Sequence, residues 1–226
     1  MFERLELLIG KEKLCQIEKE KILIVGVGGV GGACAVSLIR SGIKNIVIID
    51  FDIVDISNIN RQVVAFNSTI GKKKVDVLDN IIKDINPDVN VMKYDVFLDK
   101  NNIYEIFDRE KPSFVIDCCD SKETKKEIIK ECLNRKIKFI SSMGTGNKLD
   151  PSQLEIVDIR KTNNDPLARI FRKWVKDEKI NNKIPVLCSK ELPIKSGRVV
   201  ASSSFVPNSA GLLIASYVIR KIIGDI

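Results

Sequence analysis

The 226-residue sequence contains no histidine at all. The side chain that titrates near neutral pH, and that serves many hydride-transfer enzymes as proton shuttle, is therefore missing. Any proton work falls to Asp, Glu, Lys, Tyr or Cys. Chemistry carried by positioning and charge stabilisation loses least under that restriction, and phosphoryl and nucleotidyl transfer are of this kind. Six cysteines are present (Cys15, Cys34, Cys118, Cys119, Cys132 and Cys188), but no two stand in C-x-x-C spacing. Without that spacing and without histidine, the sequence argues against a structural zinc site. The cysteines read instead as small apolar residues in a reducing compartment. No run reaches the ~18 consecutive apolar residues that a membrane-spanning helix needs. The N-terminal MFERLELLIGKEK mixes charges into its apolar positions, unlike a signal or transit peptide. The expected location is the cytoplasm, with no stable membrane insertion.

What is present suits one folded domain over residues 1–226: 44% of the residues are hydrophobic and 30% charged, and the length matches a single core. The formal net charge of +7 favours a polyanionic partner such as nucleic acid, although it bears on solubility before binding. Residues 1–20 form a helical arm, with Leu5, Leu8, Ile9, Leu14 and Ile17 at helical spacing around a break at Gly10. KILIV (21–25), NIVIID (45–50), VNVMKY (89–94), FVIDCC (114–119) and KFISS (138–142) read as strands. Helices over 30–40, 72–85, 101–108 and 121–134 separate them. This alternation predicts an α/β fold, a Rossmann-like, doubly wound, mostly parallel sheet. In the extension over 150–226 the pattern changes. QLEIVDI (153–159) and RVVASSSFV (198–206) read as strands added antiparallel to one edge, and 165–176 as a helix opened by Asp165-Pro166. A last helix over 208–223 is too short and too charged to span a bilayer and reads as a core or dimer helix.

The stretch ILIVGVGGVGG (22–32) carries the first chemistry. Gly26, Gly28 and Gly31 fit G-x-G-x-x-G between a strand and a helix, and Asp50 ends the next strand, where it can reach ribose hydroxyls. These features alone leave a dinucleotide and an adenine nucleotide both open. The loop that follows, DFDIVDISNINRQ (50–62), places Asp50, Asp52, Asn58, Asn60, Arg61 and Gln62 together, ahead of Lys72, Lys73 and Lys74. Cations and amides beside a phosphate cradle suit a triphosphate, because Arg and Lys stabilise the charge that builds on an attacked phosphorus. Asp117 and Asp120 in IDCCDS stand at the carboxyl end of another strand, where a carboxylate can hold Mg²⁺.

In order, G-x-G-G-x-G, DFD, SNINRQ, GKKKVDV, INP and DCCDS resemble the adenylating superfamily of ubiquitin-activating-enzyme type. That superfamily includes the sulfur-carrier adenylyltransferases of thiamine and molybdopterin synthesis. The resemblance implies ATP and Mg²⁺, AMP and pyrophosphate as by-products, and a homodimer. It also implies roles: Gly26, Gly28, Gly29 and Gly31 at the phosphates, Asp50 at the ribose with Asp52 beside it, and Asn58, Asn60, Arg61 and Gln62 toward the phosphates. Arg61 and Lys74 would neutralise the α- and β/γ-groups, Asp120 would be the Mg²⁺ carboxylate, and Arg4 would reach into the neighbouring subunit's site. The catalytic set on this resemblance is Arg4, Arg61, Lys74 and Asp120.

The later segments GTGNKLDPSQLEIVDIRKTNNDPLARIFRKWVK, CSKELP and SSSFVPNSAGLLIASYVIRKIIG resemble the tRNA threonylcarbamoyladenosine dehydratases. The resemblance implies that ATP activates the carboxylate of the threonylcarbamoyl group on an anticodon-loop adenosine of tRNA. An atom of the substrate's own urea then displaces AMP and closes a ring. No enzyme thiol is required, which agrees with the cysteine pattern. Cys188, in the loop-like, Lys-flanked PVLCSKELP, reads as a half-buried apolar residue. In 169–179, Phe171 and Trp174 are expected to pack inward and leave the cations to tRNA. Some relatives also work with a sulfur-transfer partner protein. Three alternatives stand beside this reading: an adenylyltransferase for the C-terminal glycine of a ubiquitin-like sulfur carrier, a nucleotide-binding scaffold without turnover, and an NAD oxidoreductase. SNINRQ and the lack of histidine speak against the last.

Overall fold

The runs ILIV, IVII and FVID are buried at every position, as strands covered by helices on both faces must be. The structure, a computed structural model, describes every residue except Lys195, Ser196 and Arg198. Strands β1 (Lys21–Val25), β2 (Asn45–Ile49), β3 (Asn90–Tyr94), β4 (Phe114–Asp117), β5 (Lys138–Ser142), β6 (Leu154–Asp158) and β7 (Pro185–Ser189) form one sheet in the order β3-β2-β1-β4-β5-β7-β6. All neighbours run parallel except β6 and β7. The helices are α1 (Glu3–Ile9), α2 (Lys11–Lys19), α3 (Gly29–Arg40), α4 (Lys74–Ile85), α5 (Ile103–Glu110), α6 (Lys122–Arg135), α7 (Pro166–Asp177) and α8 (Phe205–Ile222).

Alternate strand residues point to opposite faces, and each face has its own core. Ile22, Ile24, Ile46, Ile48 and Ile116 pack with Leu38 of α3, Leu78 of α4 and Ile214 of α8. Leu23, Val25, Val47, Ile49 and Val115 pack with Phe107 of α5, Ile128 of α6 and Phe171 of α7. Strand order reverses between β1 and β4, which opens a crevice at the carboxyl ends of the strands.

The expected arm is present, with α1 and α2 joined at Gly10, whose φ of 86° favours glycine. Helix α1 buries none of its residues, whereas α2 seats Leu14 and Ile17 on the core. Asp165 caps α7 by accepting the Ala168 N–H at 2.9 Å, with Pro166 in the first turn where no intrahelical donor is needed.

Two expectations for the last third need correction. No strand forms over 199–203, and α8 begins at Phe205; Arg198, the first residue of the expected strand, lies outside the described residues. The Val-Val-Ala run suggests a strand, but Pro207 sits in the first turn of α8, where its fixed φ suits a helix start. The strand in that region is instead β7. It pairs parallel with β5 and antiparallel with β6, so β6 alone is reversed.

Helices α3 and α8 lie close together at Gly211. A Cβ there would lie 2.4 Å from the Val30 carbonyl oxygen and 2.8 Å from the Cys34 nitrogen, both backbone atoms. Gly211→Ala gains ~1 kcal/mol of helix propensity but forces the helices apart, an overpacking that costs about 1–3 kcal/mol. A fall in Tm by several degrees on thermal denaturation is expected; an unchanged or raised Tm would show that the contact yields freely.

Candidate active site

The chain leaves β1 through Gly26, whose φ is 84°. A Cβ at this position would lie 2.8–2.9 Å from the backbone of Cys118 and Cys119, so conformation and space both select glycine. The Gly26 N–H donates to the Ile49 carbonyl at 2.8 Å, and the Cys118 N–H to that of Val25 at 2.8 Å, which draws the ends of β1, β2 and β4 together. Helix α3 starts three residues later, at Gly29. Gly28 is its N-cap and no side chain caps it, so the first-turn amides are left to face the crevice with the positive end of the helix dipole. The resulting cleft has a volume of about 320 Å³.

Gly26, Gly28, Gly29, Asp50, Asp52, Asn58, Arg61, Gln62, Lys74 and Asp120 all line this cleft. Asp50 accepts the Val27 N–H at 2.7 Å and the Asp52 N–H at 2.8 Å. Burial pushes its carboxyl above the usual range, against the pull of those two hydrogen bonds and of Lys74. Lys74 opens α4, and its buried ammonium lies 2.7 Å from the half-exposed Asp52 carboxylate. A 3-10 turn, Ile56–Asn58, carries the SNINRQ loop. Its ends are locked because Asp55 accepts the Ser57 N–H at 2.8 Å while Asn58 accepts the Asp55 N–H at 3.1 Å. Arg61 donates at 2.9 Å to the Ser57 carbonyl and to the Asn60 side chain.

Two features of this lining fit a nucleotide with Mg²⁺. The buried Gln62 amide, turned toward Gly28, has no partner for its Oε1. Asp120 stands exposed after β4 with no hydrogen bond to a described residue, while Arg61, Lys74 and the free amides of α3 supply positive potential nearby. No cluster of three ligating side chains exists among the described residues. One or two carboxylates beside a phosphate cradle are the arrangement by which Mg²⁺ is shared with substrate phosphates.

Several expected residues lie elsewhere. Gly31 does not line the cleft. It lies beneath the turn, where a Cβ would come within 1.8 Å of the Gly26 carbonyl oxygen, so its role is to seat α3 on β1. Asn60 is also outside; its amide donates to the Ser202 carbonyl at 2.9 Å and ties the loop to the segment before α8. Arg4, exposed on α1, is absent from the cleft of its own chain. Asp117 is fully buried and does not offer a free carboxylate. It pairs with the equally buried Lys125 at 2.9 Å and accepts from Ser141 Oγ at 2.5 Å and Cys119 N–H at 3.2 Å. Cys188 lies in β7 rather than a loop, and burial pushes its thiol up to about 11.

The sequence reading missed Lys125, which also donates to the Ser142 carbonyl at 2.8 Å. Burial draws its ammonium down, but the Asp117 carboxylate together with the Cys119 and Cys118 thiols outweighs that and holds it above the usual lysine value. A signal was present, since residues 125, 128, 129 and 132 form an inward stripe at i, i+3, i+4 and i+7. Phe51 and Phe97 were also missed; their rings meet edge to face at 5.1 Å on one wall of the cleft. Thr145 and Ser202 line it too.

The profile of the ThiF family matches residues 2–225. The chain belongs to the ThiF family. This ThiF-family chain is 38% identical to the tRNA threonylcarbamoyladenosine dehydratase of Bacillus subtilis (strain 168), across 100% of its own length and 95% of that protein. It is 36% identical to the enzyme of the same name from Escherichia coli (strain K12), across 76% of its own length and 63% of that protein. The structure of E. coli tRNA N6-threonylcarbamoyladenosine dehydratase, TcdA, in complex with AMP matches with a TM-score of 0.93 at 30% identity, covering 99% of this chain and 94% of that one. TcdA in complex with ATP matches equally, at 0.93.

Two outcomes are expected at this site. Lys125→Met leaves the Asp117 carboxylate buried without its cation and should cost about 3–5 kcal/mol in denaturant titration, most of it recovered in Lys125→Met/Asp117→Leu. An additive double variant would mean that the two charges act independently. Alkylation of the native protein at pH 8, read by mass spectrometry, should reach the exposed Cys15 first. Cys118, pushed up to about 12, and Cys188 stay protonated and slow, because burial disfavours their thiolates.

Proposed function

We propose that this chain is an ATP-dependent tRNA threonylcarbamoyladenosine dehydratase that activates the threonyl carboxylate as an acyl adenylate. The observation that carries the reading is the convergence of the uncapped N-terminus of α3 with Arg61, Lys74 and Asp120 on one cleft. A carboxylate oxygen of the substrate attacks the α-phosphorus, the bond to the bridging oxygen breaks, and pyrophosphate leaves. An atom of the substrate's urea then attacks the acyl carbon, AMP departs with the former carboxylate oxygen, and a ring closes with net loss of water. Neither half needs a histidine or an enzyme thiol.

The chain's residues act by holding charge in place. Amides of Gly28 and Gly29 approach the phosphates without a side chain intervening, and Asp50, anchored by two backbone N–H groups, keeps oxygen lone pairs for ribose hydroxyls. Lys74, released from Asp52, meets the β/γ-phosphates, and Arg61 meets the α-phosphate, where negative charge grows in the transition state. Asp120 would hold Mg²⁺, which neutralises phosphate charge when bound.

Leu7 and Leu8 of α1 are 88% and 80% exposed, which supports docking of the arm on a second copy, with Arg4 entering that copy's cleft in a homodimer. The location proposed is the cytoplasm; among the described residues no helix is long and apolar enough to cross a membrane. A sulfur-transfer protein is proposed as an accessory partner on the resemblance alone.

Incubation with Mg-ATP and tRNA carrying threonylcarbamoyladenosine should release AMP and lower the mass of that nucleoside by one water. Release of AMP only with a carrier protein, with the tRNA unchanged, would replace this reading by carrier adenylation. Lys74→Ala and Asp120→Ala should each cut turnover on the order of 10²–10³ with a far smaller effect on unfolding.

A further inference from the structure

Helix α6 begins at the mouth of the cleft, since Ser121, which caps it, and Thr124 in its first turn both line the cavity. Along one flank of α6 stand Lys122, Lys126 and Lys130, one per turn at i, i+4 and i+8, about 6 Å apart along the axis. The acidic residues of this helix, each one position after a lysine of the row, lie on the side turned toward α5. Glu123 and Glu127 stand beside the row without an ion pair to a described residue, and Glu131, also on α6, pairs with Arg135, which reaches Asp108 of α5. The lysine flank faces α7, where Lys130 Nζ lies 5.9 Å from the centre of the Trp174 ring. Trp174 and Phe171 are buried, so the outward face of α7 presents Arg169, Lys173 and Lys176 at i, i+4 and i+7. Asp177 and Glu178 bound that face at its far end.

None of these six cations makes an ion pair with a described residue, whereas lysines on the opposite edge of the sheet, such as Lys73 and Lys93, are paired at 2.5 Å and 2.8 Å. Lys122 is moreover in the first turn of α6, where the helix dipole disfavours a cation. Apart from the contact of Lys130 with Trp174, this row of cations without ion pairs has no described packing contact, and it leads away from a nucleotide cleft. Its charge pattern fits a polyanion.

We infer that the α6–α7 face is an RNA track. The phosphate backbone of the tRNA runs from the cleft mouth along Lys122, Lys126 and Lys130, then crosses onto Arg169 and Lys173. This inference rests on the proposed activity only for the identity of the RNA. Contacts of this type position a substrate without reading its sequence, and each contributes a released counterion.

The test uses the full-length protein and unmodified tRNA transcript, with affinity measured by fluorescence anisotropy at several salt concentrations. In Lys122→Gln/Lys126→Gln/Lys130→Gln, the slope of log affinity against log salt should fall by about 2–3. The loss of affinity between 50 and 200 mM salt then becomes roughly 16- to 64-fold smaller than in the parent protein. ATP binding, measured by calorimetry, should not change. A triple variant of equal charge on the other layer, Lys13→Gln/Lys19→Gln/Lys221→Gln, should leave the slope within one unit of the parent's. An unchanged slope in the α6 variant, equal losses in both variants, or no RNA binding by the parent protein would overturn the track. Failure of the parent protein to dehydrate its modified tRNA while the slope shift is present would instead remove the proposed activity and leave the track standing.

Discussion

A carbonyl oxygen occupies the place where a side chain would be. The Gly26 oxygen lies 1.8 Å from the point at which a Cβ on Gly31 would stand, and the Gly26 Cα itself abuts the backbone that follows β4. That double contact sets the distance between β1, α3 and β4, and the cleft follows from it. If α3 were displaced outward by one methyl group, its first-turn amides would no longer face the gap between the strands. Gly211 repeats the constraint from outside, pressing α8 onto the same helix. Three glycines therefore act through close approach, and the phosphate cradle is what remains once the backbones have come as near as they can.

Charge is distributed on this frame in two layers. Beneath the floor, Asp117 and Lys125 neutralise one another in full burial, and Asp117 also holds the Cys119 amide, so the turn leading to Asp120 is anchored from below. Above it, Asp120 makes no hydrogen bond to a described residue, and Lys74 pairs with the half-exposed Asp52. Carboxylates three residues apart thus have opposite fates. One is committed to the scaffold, and the other is available to a ligand.

Much of this was legible in the sequence, for identifiable reasons. Strands buried on both faces carry a pure apolar signal, so β1, β2, β4 and β5 were placed within a residue or two, and the loop chemistry from Asp50 to Lys74 lay in one contiguous stretch. Legibility ended where the outcome depended on distant partners. Gly31 reads like Gly28 in the motif, and only the turn of α3 sends one beneath the other. PVLCS shows little strand pattern because its order comes from pairing with β5 and β6. Val199 and Val200 look like strand residues, yet are exposed in the segment that leads into α8. Lys125 was passed over because lysine is ordinarily a surface residue, and the carboxylate that keeps it inside belongs to a strand.

The one tryptophan of the chain, Trp174, lies 8% exposed beneath Lys130, between the two helices that carry the unpaired cations. Indole emission responds to the electric field across the ring, and here an ammonium that makes no ion pair with a described residue lies over it. Any anion that draws this ammonium outward alters the field at a single chromophore, with no second tryptophan to dilute the signal. The molecule thus has an intrinsic optical gauge of what settles on that face, and it can be read in solution without a label.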